Sequence, residues 1–101
     1  MNKNSQFIEK YFNQVNFSIS KVDKIKIDKI VNKLVKLRKN KGRLFFLGVG
    51  GSAANASHAV NDFRKLCGIE SYSISDNISE LTARINDEGW NSSYIETLKI
   101  N

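Results

Sequence analysis

The order of hydrophobic patterns along this chain predicts an α/β protein of the doubly wound, parallel-sheet class. Three observations lead there. Two amphipathic helical segments open the chain; a short run apolar on both faces, Leu44-Phe45-Phe46-Leu47, ends in glycines; and the pattern then continues as helix, strand, helix, helix. A strand apolar throughout suits a sheet covered on both sides, and strands alternating with helices imply parallel pairing through crossovers. A length of 101 residues leaves room for one small domain.

In the first helix, Phe7, Ile8, Tyr11, Phe12 and Val15 recur at i, i+1, i+4, i+5 and i+8, a stripe broad enough to bury against a neighbour. A polar break is expected over Asn16 to Ser20. The second helix carries Ile27, Ile30, Val31, Leu34 and Val35 on one face. Lys36, Arg38, Lys39 and Lys41 crowd its end, where cations complement the helix dipole, and Gly42 is placed to stop it. After the strand at 44–47, a helix from Ser52 to Leu66 turns Ala56, Ala59, Val60 and Phe63 inward. A second strand covers about Ile69 to Ser75. Asn77 with Glu80 three residues on reads as a capping box for a helix through Leu81 and Ile85, and Asn91 is placed to cap a last helix with Tyr94, Ile95 and Leu98. The chain thus divides into an N-terminal helical arm, 1–42, and a sheet-forming part, 43–101. Two parallel strands alone leave long unpaired edges, so the expected sheet is incomplete without further chain or a partner.

Charge is distributed unevenly. Residues 1–43 hold 12 Lys and Arg against 3 Asp and Glu, a net +9; residues 44–101 hold 4 against 7, a net −3. The excess is mostly Lys on a helix whose other face is apolar, with no interleaved aromatics or base-reading motif, so a solvated helix face is expected and not a nucleic-acid surface. No segment approaches the roughly 18 apolar residues that span a bilayer, and the N-terminus has no apolar signal core, so no membrane association is expected. The single Cys67 has no CxxC partner and fits a reducing compartment; the expected location is cytoplasmic.

The strand-to-helix turn reads Gly48-Val49-Gly50-Gly51-Ser52-Ala53. Glycines let backbone approach a ligand, and the free N–H groups of a helix start favour an anion. This is either a phosphate cradle, with Gly50, Gly51 and the Ser52 hydroxyl as ligands, or a plain tight turn with Ser52 as helix cap. Gly48-x-Gly50-x-x-Ala53 also satisfies a dinucleotide-binding fingerprint, with Glu70 about twenty residues on. Downstream, Ser52, Asn55, His58 and Asp62 fall at spacings of 3, 3 and 4 and share one helix face. His58 and Asp62 can hydrogen-bond, share a metal, act as a base with its orienting partner, or simply face water.

From Leu47 to Trp90 the sequence resembles the SIS (sugar isomerase) domain family, in its phosphoheptose isomerase branch. Gly48-x-Gly50-Gly51-Ser52, then His58 and Asp62 six and ten residues after the serine, then Ser75-Asp76 and Asn86-Asp87-x-Gly89 carry the resemblance. It implies the first half of a flavodoxin-like, five-stranded parallel SIS domain that follows two helices packing subunits into dimers or tetramers. The implied activity is aldose–ketose isomerisation of sedoheptulose 7-phosphate, in bacterial heptose and surface-polysaccharide synthesis. By position, Gly50, Gly51, Ser52 and Asn55 would bind substrate, Asp76 would lie at the pocket rim, His58 would ligate zinc, and Asp62 would be both base and zinc ligand. Two departures stand out: Asp62 is one methylene shorter than the family's glutamate, and Val49 replaces the usual asparagine. The family's second phosphate loop and its C-terminal glutamine and histidine would lie beyond Asn101. The chain alone is therefore expected to be inactive, and the alternative is a non-catalytic module that binds sugar phosphates.

Overall fold

A computed structural model describes residues 2–101. It separates into two compact units, one reaching Lys33 and the other running from Leu34 to Asn101.

The first unit is helical. Helix α1 spans Lys3–Ser20, and the Asn2 side chain caps it by accepting from the Ser5 N–H at 2.8 Å. The expected break at Asn16 to Ser20 is absent, because those polar residues are absorbed by the helix: the Ser18 and Ser20 hydroxyls donate back to the carbonyls of Gln14 and Phe17 at 2.9 and 2.7 Å. Without a glycine or proline in the segment, nothing forces the backbone out of the helix. The break comes later, where Asp23 caps helix α2 (Lys24–Lys39) by accepting from the N–H groups of Ile25 and Lys26 at 2.9 and 3.2 Å. Neither helix buries a residue; Phe7, Phe12 and Phe17 are 70, 61 and 62% exposed.

Helix α2 ends in a Schellman closure. The Gly42 N–H reaches the Leu37 carbonyl at 2.9 Å and the Lys41 N–H reaches that of Arg38 at 3.1 Å. Lys41, at φ +52°, takes the left-handed position expected of Gly42. Lys36, Arg38 and Lys39 do crowd the last turn. Within the second unit, which includes this last turn, the Arg38 guanidinium bonds the Cys67 carbonyl at 3.3 Å.

The second unit runs β1 (Arg43–Phe46), α3 (Gly51–Lys65), β2 (Glu70–Ser73), a 3₁₀ turn (Ile74–Asp76), α4 (Ile78–Glu88) and α5 (Trp90–Ile100). The two strands pair in parallel with Arg43 opposite Glu70 and Phe46 opposite Ser73, so α3 is the crossover between them. The α/β class is the one the sequence predicts. β1 is as long as expected but set back by one residue, so Leu47 falls outside it and is half exposed, whereas β2 is shorter than expected, because it starts at Glu70 and Ile74 and Ser75 tighten into the 3₁₀ turn. Pairing extends only as far as both strands run.

The core is small, built on Ala56, Ile69 and Ile74. The Phe46 and Phe63 rings meet at 5.2 Å, joining β1 to α3, and Phe45 stacks on its cross-strand partner Tyr72 at 5.6 Å. Four buried hydroxyls are each hydrogen-bonded: Ser71 to the Ile69 carbonyl, Ser73 to Ser75, Ser93 to the Trp90 carbonyl and Thr97 to that of Ser93. Small polar residues are tolerated in the interior on that condition.

Asn77 caps α4 as expected, accepting from the Glu80 N–H at 3.1 Å, while the Glu80 carboxylate pairs with Arg84 at 3.2 Å. Asn91 is no cap. Gly89, at φ +90°, makes the corner between α4 and α5, and α5 has begun at Trp90.

Two outcomes follow for urea unfolding. Asn77→Ala should cost about 1 kcal/mol whereas Asn91→Ala should stay within about 0.5 kcal/mol. Lys41→Gly should raise stability by about 1 kcal/mol by relieving a left-handed lysine.

Candidate functional site

The loop that leaves β1 lies at the carboxyl end of a parallel strand, the end at which open α/β sheets bind ligands. Its three glycines serve different ends. A Cβ on Gly48 would lie 2.2 Å from the Ser52 carbonyl oxygen and 2.6 Å from the Ala53 nitrogen, so the start of α3 packs directly against this residue. Gly50 sits at φ +60°, ψ −122°, a conformation reserved for glycine, and forms the N-cap of α3. Gly51 has neither reason: its φ is not positive, and a Cβ there would meet nothing within 4 Å.

Ser52 is not the cap, because α3 starts one residue before it. Its hydroxyl folds back on the loop, accepting from the Val49 N–H at 2.8 Å and donating to the Val49 carbonyl at 2.9 Å. The N–H groups of Ser52, Ala53 and Ala54 also turn inward, to the carbonyls of Val49 and Gly50. Among the described residues the N–H groups of Gly50 and Gly51 have no acceptor. The helix start thus offers two unpaired donors with the positive end of the helix dipole behind them. For the Ser52 hydroxyl to donate to an anion, it must first release the Val49 carbonyl.

Along α3, Asn55, His58 and Asp62 are exposed. His58 Nε2 lies 3.4 Å from Asp62 Oδ2, with the two side chains 78 and 52% exposed, so the pair forms in an open setting. Zinc takes four ligands, or three and a substrate. His58 and Asp62 supply two, and among the described residues no group of three His, Cys, Asp or Glu side chains could hold a metal. A complete zinc site is therefore not built from this part of the chain.

Asp76 is held by α3 and makes no hydrogen bond to the loop among the described residues. Its Oδ1 accepts from the Ser57 hydroxyl on α3, tying the end of the 3₁₀ turn to a residue 19 positions earlier. It also lines an open groove with Val60, Arg64, Tyr72 and Asn77, to which no residue of the glycine loop contributes. Arg64 is fixed there, donating to the Ser71 carbonyl at 3.1 Å with its guanidinium 5.5 Å from the Tyr72 ring centroid.

Glu70, the acidic residue of the nucleotide reading, lies opposite Arg43 at the start of β2 and accepts from the Tyr72 hydroxyl at 2.7 Å. In a parallel pair the starts of both strands lie together, so Glu70 stands at the far end of the sheet from the loop. Sequence reasoning missed Tyr94: its hydroxyl, on α5, donates to the Gly48 carbonyl at 2.6 Å across 46 residues. An aromatic on an amphipathic helix carries no sign that its polar tip will meet a distant loop.

No family model matches the chain, and no curated protein matches it significantly. Among solved structures the chain is similar to phosphoheptose isomerase GmhA from Neisseria gonorrhoeae, with a TM-score of 0.80 and 22% identity. The match covers 97% of this chain and 55% of that one, so the chain spans about half the length of that structure. At this identity the likeness establishes the fold alone.

The unequal glycines make a direct test. Gly48→Ala should lower stability by about 1–3 kcal/mol, since backbone and not a flexible side chain blocks the new methyl. Gly51→Ala should be neutral or stabilise by up to about 1 kcal/mol, as alanine is the better helix former. Thermal unfolding of the two variants checks both.

Proposed function

We propose that the loop from Gly48 to Ser52, with the start of α3, binds the phosphate of a phosphorylated sugar, as half of an isomerase site of the phosphoheptose isomerase kind. One observation carries this reading: Gly51, which neither φ nor packing requires, stands in open space beside two unpaired amide donors. The order of residues after the loop, Asn55, His58 and Asp62 on one exposed face, supports a substrate running from the loop along α3. The solved neighbour acts on a phosphorylated sugar by its name, and the fold agrees over nearly the whole chain.

Isomerisation moves a proton between adjacent carbons and needs a base within hydrogen-bond reach of that proton. Asp62 is the proposed base, with His58 as its orienting neighbour. Zinc belongs to the proposal only as a group completed by donors beyond His58 and Asp62, and no step is assigned to it. The proposed assembly is a homo-oligomer through α1 and α2, whose apolar side chains stay exposed within a single chain. The proposed location is the cytoplasm, in keeping with the free Cys67.

A second reading, a sugar-phosphate-binding module without catalysis, is favoured by the half-exposed Asp62, whose ion-pair partner among the described residues is the exposed His58. Calorimetric titration with inorganic phosphate and sedoheptulose 7-phosphate, run beside a turnover assay and zinc analysis, separates the two. Saturable binding of both ligands is expected, with the sugar phosphate tighter; no binding of either would sink the phosphate reading. Binding without turnover or metal would decide for the module. Deleting residues 1–20 should shift the sedimentation profile toward monomer, and an unchanged profile would count against assembly through α1.

A further inference from the structure

The geometry points to Tyr94 as a positioning residue for the anion loop, one that holds the Gly48–Val49 peptide plane in a clamp. The inference rests on the phosphate reading for its functional meaning but not for its geometry. A peptide unit has one acceptor and one donor, and here both are held by side chains. The Tyr94 hydroxyl donates to the Gly48 carbonyl at 2.6 Å, and the Ser52 hydroxyl accepts from the Val49 N–H at 2.8 Å. Gly48 lies two residues beyond the last paired residue of β1, so the sheet does not fix this plane. Gly50, with φ +60° and no side chain, follows directly and could absorb a rotation of the plane.

The two open amides, at Gly50 and Gly51, come next in the chain. Their direction depends on where the Gly48–Val49 plane is locked. Tyr94 is partly buried, and its ring packs on Trp90 with centroids 5.5 Å apart, so the hydroxyl is presented from a fixed ring and not from a mobile side chain. The clamp also links α5 to the loop across 46 residues of chain. A ligand that pulls the Ser52 hydroxyl away from Val49 would leave Tyr94 as the remaining hold on this peptide.

The test is Tyr94→Phe, which keeps the ring and removes the donor. In the ligand-free variant the Val49 amide should exchange with solvent about fivefold faster, the value of one net hydrogen bond, while the melting temperature falls by no more than the roughly 4–8 °C that one such bond is worth in a domain of this size. The dissociation constant for inorganic phosphate should rise by a similar factor. Unchanged Val49 exchange would overturn the clamp, and unchanged phosphate affinity beside faster exchange would overturn its role in binding. If the parent protein binds no phosphate, the functional reading fails separately and the clamp is still decided by Val49 exchange. Should the variant not fold, the unaltered protein decides: a slowly exchanging Tyr94 hydroxyl proton coupled to the Gly48 carbonyl carbon supports the clamp, and its absence refutes it.

Discussion

The parallel pairing of β1 with β2 is the constraint on which the rest of the second unit depends. Two parallel strands cannot be joined by a tight turn, so the chain between them must travel back along the sheet, and α3 makes that journey. The return fixes where α3 starts, immediately past the carboxyl end of β1, and so puts the amide-rich start of a helix where an anion can approach. Near the C-terminal end of the helix, the Phe63 ring holds it to Phe46 of β1 and the neighbouring Arg64 holds it to the Ser71 carbonyl of β2.

Given that placement, the loop must be tight, and its tightness is built from unlike parts. Gly48 admits the first turn of α3 against the strand end, and Gly50 supplies a backbone conformation closed to other residues. The Ser52 hydroxyl then closes the loop on itself through both polar groups of Val49. Most donors of the helix start are consumed internally, which leaves the amides of Gly50 and Gly51 open among the described residues. The polar face of α3 beyond it is solvated, and the distance between His58 and Asp62 shows a pair that can form without the enclosure a catalytic base usually requires.

The helical unit follows a different logic. Helices α1 and α2 have apolar stripes but bury no residue of their own, and most helical stability in proteins comes from tertiary packing of such a face. Their capping is sound, by Asn2 and Asp23, and the cations at the end of α2 suit its dipole. Local chemistry therefore defines the ends of these helices, while the faces between them remain available to a covering surface.

Periodicity and capping signals together determined the type and order of the α-helices and strands, though not the 3₁₀ turn, because a 3.6-residue stripe and a continuous apolar run are local signals that this chain writes clearly. They also marked Gly48 to Ser52, since a glycine cluster between such patterns has few uses. Ends were less legible. The Asn16 to Ser20 segment is polar yet helical, Lys41 takes the position Gly42 suggested, and Gly89 does the work expected of Asn91, in each case because hydrogen bonds to the backbone are set by geometry that composition does not encode. Tertiary structure alone decided what the distant residues touch: Asp76 on Ser57, Glu70 at the far end of the sheet and Tyr94 on Gly48. Those contacts join positions whose proximity depends on the crossover and the strand register, and no local pattern can carry a distance that only packing creates.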